Sequence, residues 1–158
     1  MKLTEIVVED AIVPSLAGAE RDDVLRELVQ ALIAAGKLSA DDEEQIVTRL
    51  LDRERRGSTG FGRGVAVPHV KHDAVESIVA AVGLSQKGVD FAAMDKKPVY
   101  SIVLLVSPDD RPEEHLQAME AIFASLSKED FRRELRQAES REAIVTLLGE
   151  ADSQHLAG

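Results

Sequence analysis

The sequence predicts a layered α/β domain, and three observations carry that expectation. Helix-spaced apolar residues fill the segments toward both ends of the chain, and short strand-like segments cluster between them. One of these, "VYSIVLLV" at residues 99–106, is almost continuously apolar, as expected of a central strand covered on both faces. At 158 residues, 44% hydrophobic and 30% charged, the chain is long enough for one domain with its own core, and no linker or repeat divides it.

The elements follow in order. "LTEIVVEDAIVPSL" reads as a strand broken by Pro14. From Arg21 to Ala35, the positions Val24, Leu25, Leu28, Val29, Leu32 and Ile33 recur with helical spacing, and Gly36 supplies a stop. Ser39, with Asp42 in the capping-box position, opens a second helix whose apolar face is Ile46, Val47, Leu50 and Leu51. It ends near "RERRG", where arginines face the negative end of the dipole and Gly57 terminates. Val65–Val67 and residues 77–84 are strand candidates, and turn chemistry around Gly88 and Asp95 leads into 99–106. Pro112 fits the first turn of a helix carrying His115, Met119, Ile122 and Leu126 along or beside one face. Two shorter helices follow, with Ser127 and Ser140 as N-caps, and residues 150–158 form a frayed tail beyond a domain spanning 1–149.

Composition excludes several function classes. Without cysteine there is no disulfide, thiol nucleophile or cysteine-ligated zinc. A net charge of -10 and 3% aromatic residues argue against a nucleic-acid partner, which needs positive surface and stacking platforms. The absence of a signal-peptide pattern or long apolar run leads to the expectation of a cytoplasmic protein with no direct membrane insertion.

The unusual segment is "GSTGFGRGVAVPHVKH", residues 57–72. Its glycines make a tight turn, a flexible loop or a close backbone approach to an anion. Neither nucleotide fingerprint fits. Gly57 and Gly62 have P-loop spacing, but Arg63-Gly64 replaces Lys and Ser/Thr, and Gly60, Gly62 and Gly64 precede a strand rather than a helix. His69 and His72, with Asp73 and the distant His115, fall short of a metal-ligand set, so no metal is expected.

Imidazole, by contrast, is a nucleophile near neutral pH, and attack on a phosphoryl group gives phosphohistidine. That chemistry needs donors around the phosphoryl oxygens and a fixed ring. Backbone N–H groups of Gly60, Gly62 and Gly64, the hydroxyls of Ser58 and Thr59, and the Arg53 guanidinium are the candidate donors. His115 is placed to reach the same sheet edge as His69. Each has a plainer alternative: a strand-end histidine, a helix-end arginine, turn-forming hydroxyls, a helix-start histidine. Arg55 and Arg56 read as solvated charges, and His72 and His155 as surface positions.

Together these residues resemble a known pattern. "RERRGSTGFGRGVAVPH" is similar to the active-site segment of fructose/mannitol-type enzyme IIA domains of the bacterial phosphoenolpyruvate-dependent phosphotransferase system, a family that includes the nitrogen-regulatory enzyme IIA proteins. "GVDFAAMDKKPVYSIVLLVSP" and "EEHLQAMEAI" resemble the family's later strand and second histidine, so that the similarity spans roughly residues 3–149. The resemblance implies a single three-layer α/β domain, with a small mixed sheet between helical layers. It implies that His69 accepts a phosphoryl group on Nε2 from the phosphocarrier HPr, with Arg53 and His115 supporting it and Ser58 and Thr59 as loop donors. Neither metal nor bound cofactor is implied. The protein is then a phosphotransferase component rather than a multiple-turnover enzyme on a free small molecule. Phe61, Arg63, Val70, Lys71 and His72 depart from the usual pattern and bear on the choice of partner. Three roles are consistent with the resemblance. A nitrogen-type regulatory phosphocarrier acts on regulatory protein targets, a transport subunit feeds a fructose- or mannitol-class enzyme IIB, and a contact-only module signals without phosphoryl flux.

Overall fold

The computed structural model describes the backbone of residues 1–157 and the side chains of residues 1–154. Strands β1 (Val7–Val13), β2 (Gly60–Gly62), β3 (Val65–Ala66), β4 (His69–Lys71), β5 (Val79–Val89) and β6 (Val99–Ser107) form one mixed sheet. Its order is β1-β5-β6-β3-β2, and β4 pairs with β6 beyond the end of β3. The central β5–β6 pair is antiparallel, β1 joins β5 in parallel, and β3 and β4 both run parallel to β6.

The period of two along β6 divides the core. Ile102, Leu104 and Val106 face one way, packing with Leu25, Leu28 and Leu32 of helix α2 (Arg21–Ala34) and Ile46 and Leu50 of α3 (Glu43–Arg55). Val103 and Leu105 face the other layer, formed by α1 (Leu3–Ile6), α4 (Pro112–Leu126), α5 (Glu129–Gln137) and α6 (Arg141–Ala157). Leu25, Leu28, Leu32, Ile102, Leu104 and Leu105 are fully buried. Each contributes about 1.5–3 kcal/mol on burial, so both layers are held firmly to the sheet.

Several local expectations are corrected. Leu3–Ile6 forms a helical turn instead of extending β1, because the Asp152 carboxylate accepts from the N–H groups of Leu3 (2.7 Å) and Thr4 (3.1 Å) and from the Thr4 hydroxyl (2.7 Å). The same contact ties α6, which spans Arg141–Ala157, to the first turn of the chain through the buried Asp152. Ser39 accepts from Asp41 N–H and so caps a 3₁₀ turn, Ala40–Asp42, that leads into α3. The Ser127 hydroxyl donates to the Ala124 carbonyl, closing α4 rather than opening α5, whereas Ser140 does cap α6 by accepting from Ala143 N–H. β5 runs five residues past the expected end at residue 84, through a register shift between Leu84 and Val89. Gly88, at φ +88°, accommodates that irregularity beside Pro98 and Tyr100.

Among the described residues, no helix is long and apolar enough to cross a membrane.

Candidate functional site

Register along β6 decides which side chains meet. Paired residues on neighbouring strands point to the same face, so His69 opposite Leu105 and Lys71 opposite Ser107 share the α4 face. Val70, opposite Val106, turns into the α2–α3 core. His115 lies in the first turn of α4, and its ring centroid is 5.6 Å from that of His69, with the rings inclined at 55°. The two histidines separated by 46 positions in the sequence thus stand side by side at the end of the sheet.

The His69 ring is fixed by its own strand entry. Nδ1 lies 2.8 Å from the Val67 carbonyl oxygen, which can only accept. Nδ1 therefore carries the proton of the neutral ring, and Nε2 keeps its lone pair. Pro68 sets the approach: having no N–H, it leaves the β3 ladder, while its carbonyl accepts from Leu105 N–H at 2.9 Å and β4 resumes at His69. His69 is half-buried, so the ring is held yet open to a reacting group.

His115 has a different electrostatic setting. Burial first, and then the neighbouring charges of His69 and Lys71, lower its pKa from 6.5 to about 4, so the ring is neutral at pH 7. Its Nδ1 is 2.6 Å from the hydroxyl oxygen of the fully buried Ser107. Ser107 carries no motif signal in the sequence; only its place in the β6 alternation, facing α4, identifies it.

Arg53 belongs to a stripe of α3 that flanks the open edge of β4. Gln45 meets His72, with Oε1 and Nε2 2.5 Å apart, and Arg49 donates to the Lys71 carbonyl at 2.8 Å. Arg53 lies one turn beyond Arg49 on the same stripe. Its Nη1 donates to the Gly57 carbonyl at 2.8 Å, at the end of its own helix. The other guanidinium N–H groups have no protein acceptor among the described residues.

The glycine segment is built differently from an anion nest at His69. Gly62 (φ +103°), Arg63 (φ +60°) and Gly64 (φ +80°) turn the β2–β3 hairpin, and the Asp95 carboxylate accepts from Arg63 N–H at 3.0 Å. The N–H groups of Lys97 and then Arg63 hold the Asp95 carboxyl below the usual carboxylate range. Gly64 pairs beside Tyr100 and His69 beside Leu105. Five residues of β6 therefore separate them, about 17 Å along the strand. Gly60 pairs with Ala66, three β6 positions short of His69. The structure brings His69 and His115 together and leaves Gly62 and Gly64 at the far end.

Ser58 and Thr59 donate their hydroxyl protons to protein groups outside the glycine loop. Ser58 donates to the Phe91 carbonyl at 2.6 Å and accepts from Gly60 N–H at 2.9 Å. Thr59 directs both its N–H and its hydroxyl to the buried Glu54 carboxylate, and its carbonyl accepts from Val67 N–H at 3.1 Å. Glu54 was not singled out in the sequence; a charged residue on the buried side of an amphipathic helix is the signal that marks it. His72, expected at the surface, is 1% exposed. Its Nδ1 accepts from Ala74 N–H at 2.9 Å, which places the ring proton on Nε2 toward Gln45. The side chain of His155 lies outside the described residues. Phe61 packs against Phe123 of α4, with ring centroids 4.8 Å apart and the rings inclined at 56°.

Comparison with known proteins bears on the family and the fold. The family described as "Phosphoenolpyruvate-dependent sugar phosphotransferase system, EIIA 2" matches residues 5–151. The chain belongs to the PTS EIIA type-2 family. It is 36% identical over 132 residues to a fructose-specific EIIA component of Haloferax volcanii, covering 84% of each chain. To a nitrogen regulatory protein of Bradyrhizobium diazoefficiens it is 32% identical over 148 residues, 94% of this chain and 95% of the relative. It is also 32% identical to a fructose-specific EIIABC component of Bacillus subtilis, matching 96% of this chain but only 24% of that relative's length. The crystal structure of nitrogen regulatory protein IIA-Ntr from Neisseria meningitidis superposes with a TM-score of 0.83 at 29% identity, covering 92% of this chain and 98% of the other. The type-2 EIIA fold, a mixed sheet between helical layers, is the one expected from the sequence.

Proposed function

We propose that this EIIA-family domain is a cytoplasmic phosphoryl carrier that takes its phosphoryl group from phospho-HPr onto His69 Nε2. One observation carries the reading: Nδ1 is bound to the Val67 carbonyl, so the lone pair of the neutral ring is on Nε2, beside a second, neutral histidine. In the transfer step, a P–N bond forms to His69 Nε2 as the phosphoryl bond to the donor's histidine nitrogen breaks, and the electron pair returns to that nitrogen. The Nδ1 proton stays on His69, where Val67 stabilises the charge that develops on the ring. His115 and Arg53 supply donors to the phosphoryl oxygens. No metal or nucleotide enters this step.

Within the family, we assign the chain to the nitrogen-regulatory branch, with regulatory proteins as its targets. Support comes from the match to full-length nitrogen regulatory relatives and from the IIA-Ntr superposition. A second reading, delivery to a fructose-class enzyme IIB, is favoured by the 36% identity to a fructose-specific EIIA component. The test is intact mass after incubation with phosphoenolpyruvate, enzyme I and HPr, beside a His69→Ala control. An acid-labile gain of one phosphoryl group in the wild type alone is expected. No gain with charged HPr present overturns the carrier reading in favour of a contact-only module. Onward transfer to a fructose enzyme IIB would decide for transport. Arg53→Ala should slow acceptance about 10- to 1,000-fold, the range for losing one electrostatic contact; an unchanged rate assigns Arg53 to the helix end alone.

A further inference from the structure

The Ser107 hydroxyl is fully buried, and its one hydrogen bond among the described residues is to His115 Nδ1, at 2.6 Å. Two arrangements fit that distance. In one, Nδ1–H donates to the serine oxygen; in the other, the serine hydroxyl donates to a bare Nδ1. The first leaves the serine proton buried without an acceptor, which costs the full desolvation penalty of an unmade bond. The second satisfies both groups.

We propose that Ser107 is a positioning residue for the phosphoryl site: its hydroxyl donates to His115 Nδ1, holding the tautomer whose single proton is on Nε2. This rests on the phosphoryl-carrier reading of His69. Nε2 is the ring nitrogen left free of Ser107, and the neighbouring ring is that of His69, 5.6 Å away between centroids. Tautomer choice matters because His115 is neutral at pH 7 and has only one N–H to give. With the proton on Nε2, it donates to a phosphoryl oxygen. With the proton on Nδ1, it would turn a lone pair toward an anion. Ser107 and His69 are placed for this by the same alternation: Ser107 pairs with Lys71 and Leu105 with His69, all on the α4 face.

The decisive measurement is long-range ¹H–¹⁵N correlation of the imidazole rings in the full chain, before phosphorylation. The expected wild-type spectrum shows His115 with a bare Nδ1 and a protonated Nε2. Ser107→Ala should give mixed tautomers with an unchanged backbone spectrum, and phosphoryl acceptance roughly 3- to 10-fold slower, the weight of one hydrogen bond. Ser107→Thr, which restores the hydroxyl, should recover the wild-type tautomer. An Nδ1–H signal in the wild type overturns the proposal without need of any variant. So does Ser107→Ala with the wild-type tautomer and rate. A wild-type chain with the expected tautomer that takes no phosphoryl group overturns the carrier reading, and with it the role of Ser107, while the hydrogen bond itself stands.

Discussion

Glu54→Ala is the substitution whose cost follows most directly from the geometry. Glu54 is 4% exposed and Thr59 7%, and the carboxylate accepts both the N–H and the hydroxyl of Thr59. Alanine leaves two donors in a dry environment, at about 1–3 kcal/mol each, so a loss of about 2–6 kcal/mol is expected. Release of a buried carboxylate offsets part of this and favours the lower half of the range. In urea, with a slope of about 2 kcal/mol per molar, the midpoint should fall by roughly 1–3 M at unchanged slope. The consequence extends to the site. The Thr59 carbonyl holds Val67 N–H, and the Val67 carbonyl holds His69 Nδ1. Phosphoryl acceptance should therefore drop even under conditions where the variant is folded. Glu54→Gln, which keeps one acceptor oxygen, should lie between. A midpoint shift below about 0.5 M would refute the reasoning, because it would mean that both Thr59 donors find water at no cost.

Other outcomes are equally direct. His115 should titrate near pH 4 by NMR, and its midpoint should rise in a Lys71→Gln variant, which removes one of the charges that depress it. Between pH 6.5 and 4 the unfolded chain binds a proton at this position that the folded chain does not. The contribution to stability is thus complete above pH 6.5 and is lost as pH falls toward 4, and His115→Gln should flatten that slope in urea titrations. Gly88→Ala places a Cβ 2.8 Å from that of Pro98 at φ +88°. It should cost about 2–5 kcal/mol, combining left-handed backbone strain with overpacking, and thermal unfolding would measure it. Gly62→Ala, at φ +103° in the hairpin turn, should lower the melting temperature yet leave phosphoryl acceptance per folded molecule unchanged. A matching loss of acceptance would return the hairpin turn to the active site.

Much of this protein was legible from one dimension. Apolar periodicity located α2, α3 and α4, and the unbroken run at 99–106 marked the central strand, because burial on one stripe or on both faces leaves a direct trace in composition. The Pro-His step and the resemblance built on it pointed to His69 and to His115. The tertiary structure decided what depends on register and on distant partners. Pairing along β6 put Gly62 and Gly64 at the opposite end from His69, although they are only seven and five residues away in sequence. The same pairing brought Ser107 beneath His115 and His72 against Gln45, and Asp152 converted the first turn of the chain into helix. Such outcomes lack a local signature because a hydrogen bond between residues far apart costs and gains nothing until the sheet has fixed both ends in space.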